Sequence, residues 1–188
     1  TGANYPAWSA TGKIAFVSHP EGNYGEISVM NAADGSGVIR LTNNPAPDNF
    51  PAWSPDGSKI TFSSARSGNM DIYVMQADSS NLTQLTSNSA EDWQPQWGPD
   101  GAKIAFSTNR TGNIEVYVMD AGGTNQVALS NNPANDWLRG KWIRPSVDTS
   151  DASGITDGSA VLSGNLTDLG SVGKVRVSFQ WGLTSNYT

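Results

Sequence analysis

Apolar and polar positions alternate over short runs in this chain, and each run is closed by Gly, Pro, Asn or Asp. That period of two predicts strands rather than helices. In the stretch PAWSPDGSKITFSSARSGNMDIYVM, residues 51–75, the pattern predicts a first strand carrying Trp53, a second over Lys59–Ser64 and a third over Asp71–Met75. A fourth follows over Leu82–Thr86. Pro55-Asp56-Gly57 is the turn of the first hairpin: proline presets its own φ, the aspartate bonds nearby backbone, and glycine tolerates positive φ. Gly68-Asn69 turns the chain between the second and third strands, and Gly112-Asn113 does so further along.

The pattern repeats. Trp8, Trp53, Trp97 and Trp142 recur at steps of 45, 44 and 45 residues, inside PAWSATGKIAFVS, PAWSPDGSKITFSS and PQWGPDGAKIAFST. Phe16, Phe62 and Phe106 correspond, as do Met30, Met75 and Met119, and Leu41, Leu85 and Leu129. Length changes fall in turns: the first unit lacks one residue at 10–13 and gains one near 19–25. Four-stranded units at this spacing are the period of β-propeller blades, so the expected fold is all-β, with three four-stranded blades and one extra strand around Trp142. The wording PAWSPDG, then KITFS, DIYVM and LTSNSAED, resembles the WD-like repeat of the TolB-type propeller family over about residues 3–142. Ala10-Thr11 in place of Pro-Asp, Gly98 in place of Ser, and Gly122-Gly123 in place of Asp78-Ser79 depart from it.

Closed propellers have about 4 to 8 blades, so three units do not close by themselves. The fourth unit starts as NDWLRGKW and then turns to IRPSVDTSDASG. The expectation is a partial propeller over 1–144, completed by sequence elsewhere or by another chain, since an unpaired sheet edge invites association. From 145 to 188 the chain becomes rich in Ser, Thr, Gly and Val, with alternating runs over Ala160–Leu166 and Lys174–Trp181. This stretch resembles the opening strands of a fibronectin type III or immunoglobulin-like module, which implies a partial β-sandwich with Trp181 as a core aromatic.

Composition narrows the function classes. Eleven basic against 17 acidic residues give a net charge of -6, the wrong sign for a nucleic-acid or anionic-membrane footprint. The absence of cysteine removes disulfides and thiol chemistry but leaves the compartment open. No apolar run is long enough to span a bilayer, and any export signal is expected outside these residues. The sole histidine, His19, lies in an irregular turn of the first unit and is expected to be exposed. No Gly-x-Ser-x-Gly elbow, paired-histidine zinc motif, phosphate loop or EF-hand spacing occurs.

The remaining candidates recur with the units. Asp48, Asp92 and Asp136 each precede a Trp by five or six residues, at the entry to the first strand. Arranged around an axis they could hold Ca or another divalent cation through carboxylate oxygens; the same positions suit bracing of the connecting turns and alignment of the blades. Glu26, Asp71 and Glu115 open the third strands, with Arg66 and Arg110 just before two of them, a spacing that suggests ion pairs or turn braces within a blade. Phe50, Trp93 and Trp137 could stack on a sugar, anchor a peptide, or pack between blades. Sequons begin at Asn81, Asn109, Asn165 and Asn186, which permits glycosylation; about three would arise by chance in a chain of this composition.

The resemblance implies a periplasmic or otherwise exported, cell-surface interaction module. The expected function is therefore a non-enzymatic scaffold with no cofactor, binding a protein partner or copies of itself, the latter as a polymer or fibril. The alternatives are a glycan- or cation-binding propeller and an auxiliary domain of a larger hydrolase.

Overall fold

The computed structural model describes residues 3–20 and 24–138, together with the backbone of residues 147–149, 153–156, 159–161 and 164–166. The chain divides into two compact units, Thr1–Trp142 and Ile143–Thr188. The first unit holds three antiparallel sheets of four strands, each a meander in chain order. Blade 1 comprises β1 (Ala3–Trp8), β2 (Lys13–Ser18), β3 (Glu26–Asn31) and β4 (Ile39–Arg40). Blade 2 comprises β5 (Asp48–Trp53), β6 (Lys59–Ser64), β7 (Asp71–Gln76) and β8 (Thr83–Gln84). Blade 3 comprises β9 (Asp92–Trp97), β10 (Lys103–Thr108), β11 (Glu115–Asp120) and β12 (Val127–Ala128).

The register repeats with the sequence: Ile14 faces Met30, Ile60 faces Met75 and Ile104 faces Met119. The outer strands are shorter than expected, two residues in place of Leu82–Thr86. The reason is a side chain taking a strand's part. The Thr86 hydroxyl accepts the Ile72 amide at 2.9 Å, while the Leu85 and Thr86 amides both donate to the Ile72 carbonyl, so the ladder ends at Gln84. Thr42 and Ser130 do the same for Ile27 and Val116.

Two apolar clusters join the blades. Between blades 1 and 2 the aliphatic residues Ala15, Val17, Ile27 and Val29 meet Ile60, Phe62, Tyr73 and Met75, which include the two rings of the cluster. Between blades 2 and 3, Ala52, Ile72 and Leu85 meet Trp97, Ile104, Phe106, Tyr117 and Met119. The alternation along β7 thus sends Tyr73 and Met75 to one neighbour and Ile72 to the other, which is why both faces of the middle blade are apolar. Rings on one face fit aliphatic side chains on the other, as close packing requires.

In the second unit β13 (Val147–Thr149) pairs with β16 (Gly164–Leu166), and β14 (Ser153–Thr156) with β15 (Ser159–Val161). The run expected over Ala160–Leu166 is therefore divided between two ladders, one holding β15 and the other β16. The expected strands around Trp142 and over Lys174–Trp181, with Trp181 itself, lie outside the described residues.

Candidate functional site

The recurring charges are spent on the joints between and within blades. Asp48 is completely buried, and its two carboxylate oxygens accept from Arg66 Nη2 at 3.0 and 2.8 Å. Asp92 takes Arg110 in the same way, at 3.0 and 3.1 Å. Each guanidinium also lies over two rings, Arg66 at 5.3 Å from Phe62 and 4.9 Å from Tyr73, Arg110 at 5.2 Å from Phe106 and 4.6 Å from Tyr117. The arginines thus pair with the first-strand aspartate of their own blade, not with the third-strand acid they precede in sequence. Blade 1 lacks the pair as a whole, with Ala3 at the aspartate's register and Pro20 at the arginine's.

The backbone of each aspartate ties its blade to the one before. The amides of Asp48, Asp92 and Asp136 donate to the carbonyls of Gly25, Met70 and Ile114, just ahead of the preceding blade's third strand. Asn44, Asn88 and Asn132 donate side-chain amide hydrogens to the same three carboxylates and accept the amides of Ala46, Ala90 and Ala134. The aspartates therefore sit one to each junction, as braces. Among the described residues no three His, Asp or Glu side chains converge as metal ligands.

The third-strand acids are buried and bonded to hydroxyls. Glu26 accepts from Thr42 at 2.7 Å and from the Asn44 amide at 3.1 Å. Asp71 accepts from Ser67, Gln84 and Thr86. Burial still pushes the Asp71 carboxyl up from its ordinary value, while the Ser130 hydroxyl, with Asn113 and the Asn132 amide, holds Glu115 down. In the hairpin turn Asp56 is held down to about 2, first by the Ser54 hydroxyl and then by the Ser58 amide and hydroxyl. His19 is half-buried just beyond β2, not exposed as expected. Asn81 is exposed in a turn, and the Asn109 side chain accepts the Glu91 amide at 2.9 Å. Asn165 lies in β16, and Asn186 falls outside the described residues.

The aromatic candidates separate into two groups. Trp93 and Trp137 pack on each other with ring centroids 5.8 Å apart, Trp93 half-buried and Trp137 39% exposed. Phe50 stands one register position beyond Trp93's column and contacts Tyr5 instead, at 4.3 Å between centroids. Tyr5, Phe50 and Gln94 share a conformation, φ 54°, each directly before a proline. At that point two residues of the inner strand oppose one of its neighbour, and the opposed residue is the recurring Phe16, Phe62 or Phe106. Sequence reasoning missed Tyr5 and Gln94, although the x-Pro step that marks them is visible in all three units.

These inner strands line one concavity of about 670 Å³. Trp8, Trp53 and Trp97 reach it from equivalent positions but differ in cover. Trp97 belongs to the cluster between blades 2 and 3 and is 7% exposed, Trp53 packs on the cluster between blades 1 and 2, and Trp8 is 66% exposed.

Known proteins agree with this architecture. The sequence model described as the TolB beta propeller domain matches residues 5–146. The Tol-Pal system protein TolB of Bordetella pertussis is 42% identical over 48 residues, 26% of this chain and 11% of that protein. A solved protein assigned as TolB from Agrobacterium tumefaciens is 26% identical with a TM-score of 0.64, covering 69% of this chain and 50% of that one. A puromycin-hydrolyzing peptidase of Mycobacterium tuberculosis shares the fold at 18% identity and TM-score 0.59, over 72% of this chain and 23% of that one. The chain thus spans half the length or less of these proteins. With its family model matched across all three blades, and each blade built as the repeat demands, the chain belongs to the TolB β-propeller domain family.

Proposed function

We propose that this chain is part of an exported, periplasmic or cell-surface propeller that acts as a non-enzymatic scaffold and binds a protein partner. The observation that carries the reading is the family match over residues 5–146, because a relative in that family is named for the Tol-Pal system, and a system implies partners. The geometry supports it from another side. The buried acids and the two arginines that recur are used up in braces, which leaves the surface made by the blades, rather than a reactive group, as the feature able to act. Among the described residues no helix is long and apolar enough to cross a membrane.

The Trp93–Trp137 pair is the contact point we assign to that partner. A tryptophan pair that is half covered and half open is the kind of anchor that dominates protein interfaces. Self-association is the finer form of the same reading. It is favoured by the apolar side chains Ile39 and Val127, 58% and 57% exposed at equivalent positions of the outer strands β4 and β12.

The test uses the chain immobilised and exposed to the envelope proteins of its source, with cross-linking and mass spectrometry. The expected outcome is one protein cross-linked near Trp137, weakened by about tenfold or more in Trp137→Ser, as for a hot-spot residue. Sedimentation velocity over a range of concentrations reads self-association in the same sample. Cross-links that do not depend on Trp137, or turnover of a small substrate by the purified chain, would overturn the reading.

A further inference from the structure

The three third-strand acids occupy one position of the repeat but do not have the same partners. Glu26 accepts a backbone hydrogen from the Asn44 amide at 3.1 Å, beside the Thr42 hydroxyl. Glu115 likewise accepts the Asn132 amide at 3.1 Å, beside Ser130 and Asn113. Asp71 is one methylene shorter. It is 1% exposed, and its partners are all side chains: Ser67 at 2.7 Å, Gln84 at 3.0 Å and Thr86 at 3.1 Å. Among the described residues no bond joins it to the amide of Asn88, the counterpart of Asn44 and Asn132. A fixed backbone donor favours the ionised form of the acid it faces, and Asp71 lacks one. The Ser67 hydroxyl both donates and accepts, so Asp71 protonated at Oδ2 keeps this partner with the bond reversed.

Asp71 also faces charge across the joint between two blades. The Asp92 amide donates to the Met70 carbonyl at 2.8 Å, which ties blade 3 to blade 2 directly before Asp71. The Asp92 carboxylate is wholly buried, and the cation at the joint, Arg110, is engaged with both of its oxygens. The other charged groups near this end of β7 are used elsewhere, Arg66 on Asp48 and Glu91 on the Met70 amide, while β8 brings only the neutral Gln84. Burial first, and the Asp92 charge behind it, raise the Asp71 carboxyl above its ordinary value, although Ser67, Thr86 and Gln84 act to lower it.

We propose that the joint between blades 2 and 3 is a proton-sensitive hinge, in which Asp71 takes up a proton as pH falls and the Met70–Asp92 bond between the blades is then held more firmly. Opening the joint hydrates Asp71 and separates it from Asp92, so opening and ionisation favour each other. A carboxyl raised in the closed form supports that form below its unfolded value, and the support is lost as pH rises through the folded one. The joint between blades 1 and 2 is the internal comparison: there the Asp48 amide donates to the Gly25 carbonyl at 2.8 Å, and the third-strand acid is the backbone-bonded Glu26. Trp93 is the next residue along β9, so the hinge carries one half of the Trp93–Trp137 pair. The inference does not rest on what that pair binds.

The test follows amide hydrogen exchange in the whole chain by NMR from about pH 7.5 to about pH 4.5, corrected for the intrinsic pH dependence of exchange. Protection of the Asp92 amide is expected to rise by about threefold or more as pH falls, while that of the Asp48 amide stays level. Asp71→Asn, which removes the charge and keeps the shape, is expected to show the high protection at the upper pH already and no further change. Asp71→Glu restores the length that lets its counterparts reach a backbone amide, and is expected to remove most of the dependence. It is read where Asp71→Asn does not fold by circular dichroism. Level protection of Asp92 in the parent, an equal rise at Asp48, or a dependence that survives in the folded variant would each overturn the proposal.

Discussion

Asp48 and Arg66 stand 18 residues apart and meet because a β-hairpin returns the chain, so their pairing depends on register rather than on helical spacing. The carboxylate is wholly buried and the arginine is 20% exposed, which makes this a pair whose breaking leaves a charge without compensation. Arg66→Ala is expected to lower the unfolding free energy in urea by about 3 kcal/mol, because it also removes the cover over Phe62 and Tyr73. Exchanging both partners for apolar residues, Asp48→Leu with Arg66→Met, should recover most of that loss. Asp56 behaves differently. Its carboxyl is held at about 2, below the ordinary 3.8, so its contribution to stability is fully present above about pH 4 and fades as pH falls toward about 2. The melting temperature of Asp56→Asn should therefore lie below the parent's at pH 6, and the two should converge between about pH 4 and pH 2. The opposite sign holds at Asp71, where burial raises the carboxyl and ionisation opposes folding as pH rises above its unfolded value.

At the scale of the element, each blade is the same hairpin meander, and the departures within it have physical reasons. Gly123 stands where blade 2 has Ser79, and both take a positive φ, +90° and 68°. A Cβ on Gly123 would lie 2.7 Å from the Leu85 carbonyl oxygen of the preceding blade, whereas Ser79 is exposed. The glycine is required by a contact between blades, not by the turn alone. Gly123→Ala is expected to cost about 2 kcal/mol in thermal or urea unfolding, and Ser79→Gly to stabilise by up to about 1 kcal/mol. The strands themselves were legible from alternation: β6 runs Lys59–Ser64 as the pattern predicts, and β7 extends one residue past it to Gln76. The outer strands were not, because Thr42, Thr86 and Ser130 act through hydroxyls that stop a ladder, and no periodicity marks that.

For the whole molecule, the repeat and its turn residues determined the blade, its number of strands and its family, since each unit must bury two apolar faces and only a stacked neighbour can cover them. The candidate site was legible only in part. Asp48, Asp92 and Asp136 were visible as a recurring set, and their alternative use as braces between blades was open from the start. That Arg66 seeks Asp48 rather than the nearer Asp71 was not visible, because distance along a strand says nothing about which neighbouring strand lies alongside. Tertiary structure also decided the cover of two equivalent tryptophans, Trp53 partly covered and Trp97 buried, since each is sheltered by the blade interface it meets. It decided, too, that Tyr5, Phe50 and Gln94 share one strained conformation on one concave wall. The sequence alone fixes local alternation and turn chemistry, which depend on neighbours along the chain; burial, charge pairing and the shape of a surface depend on neighbours in space.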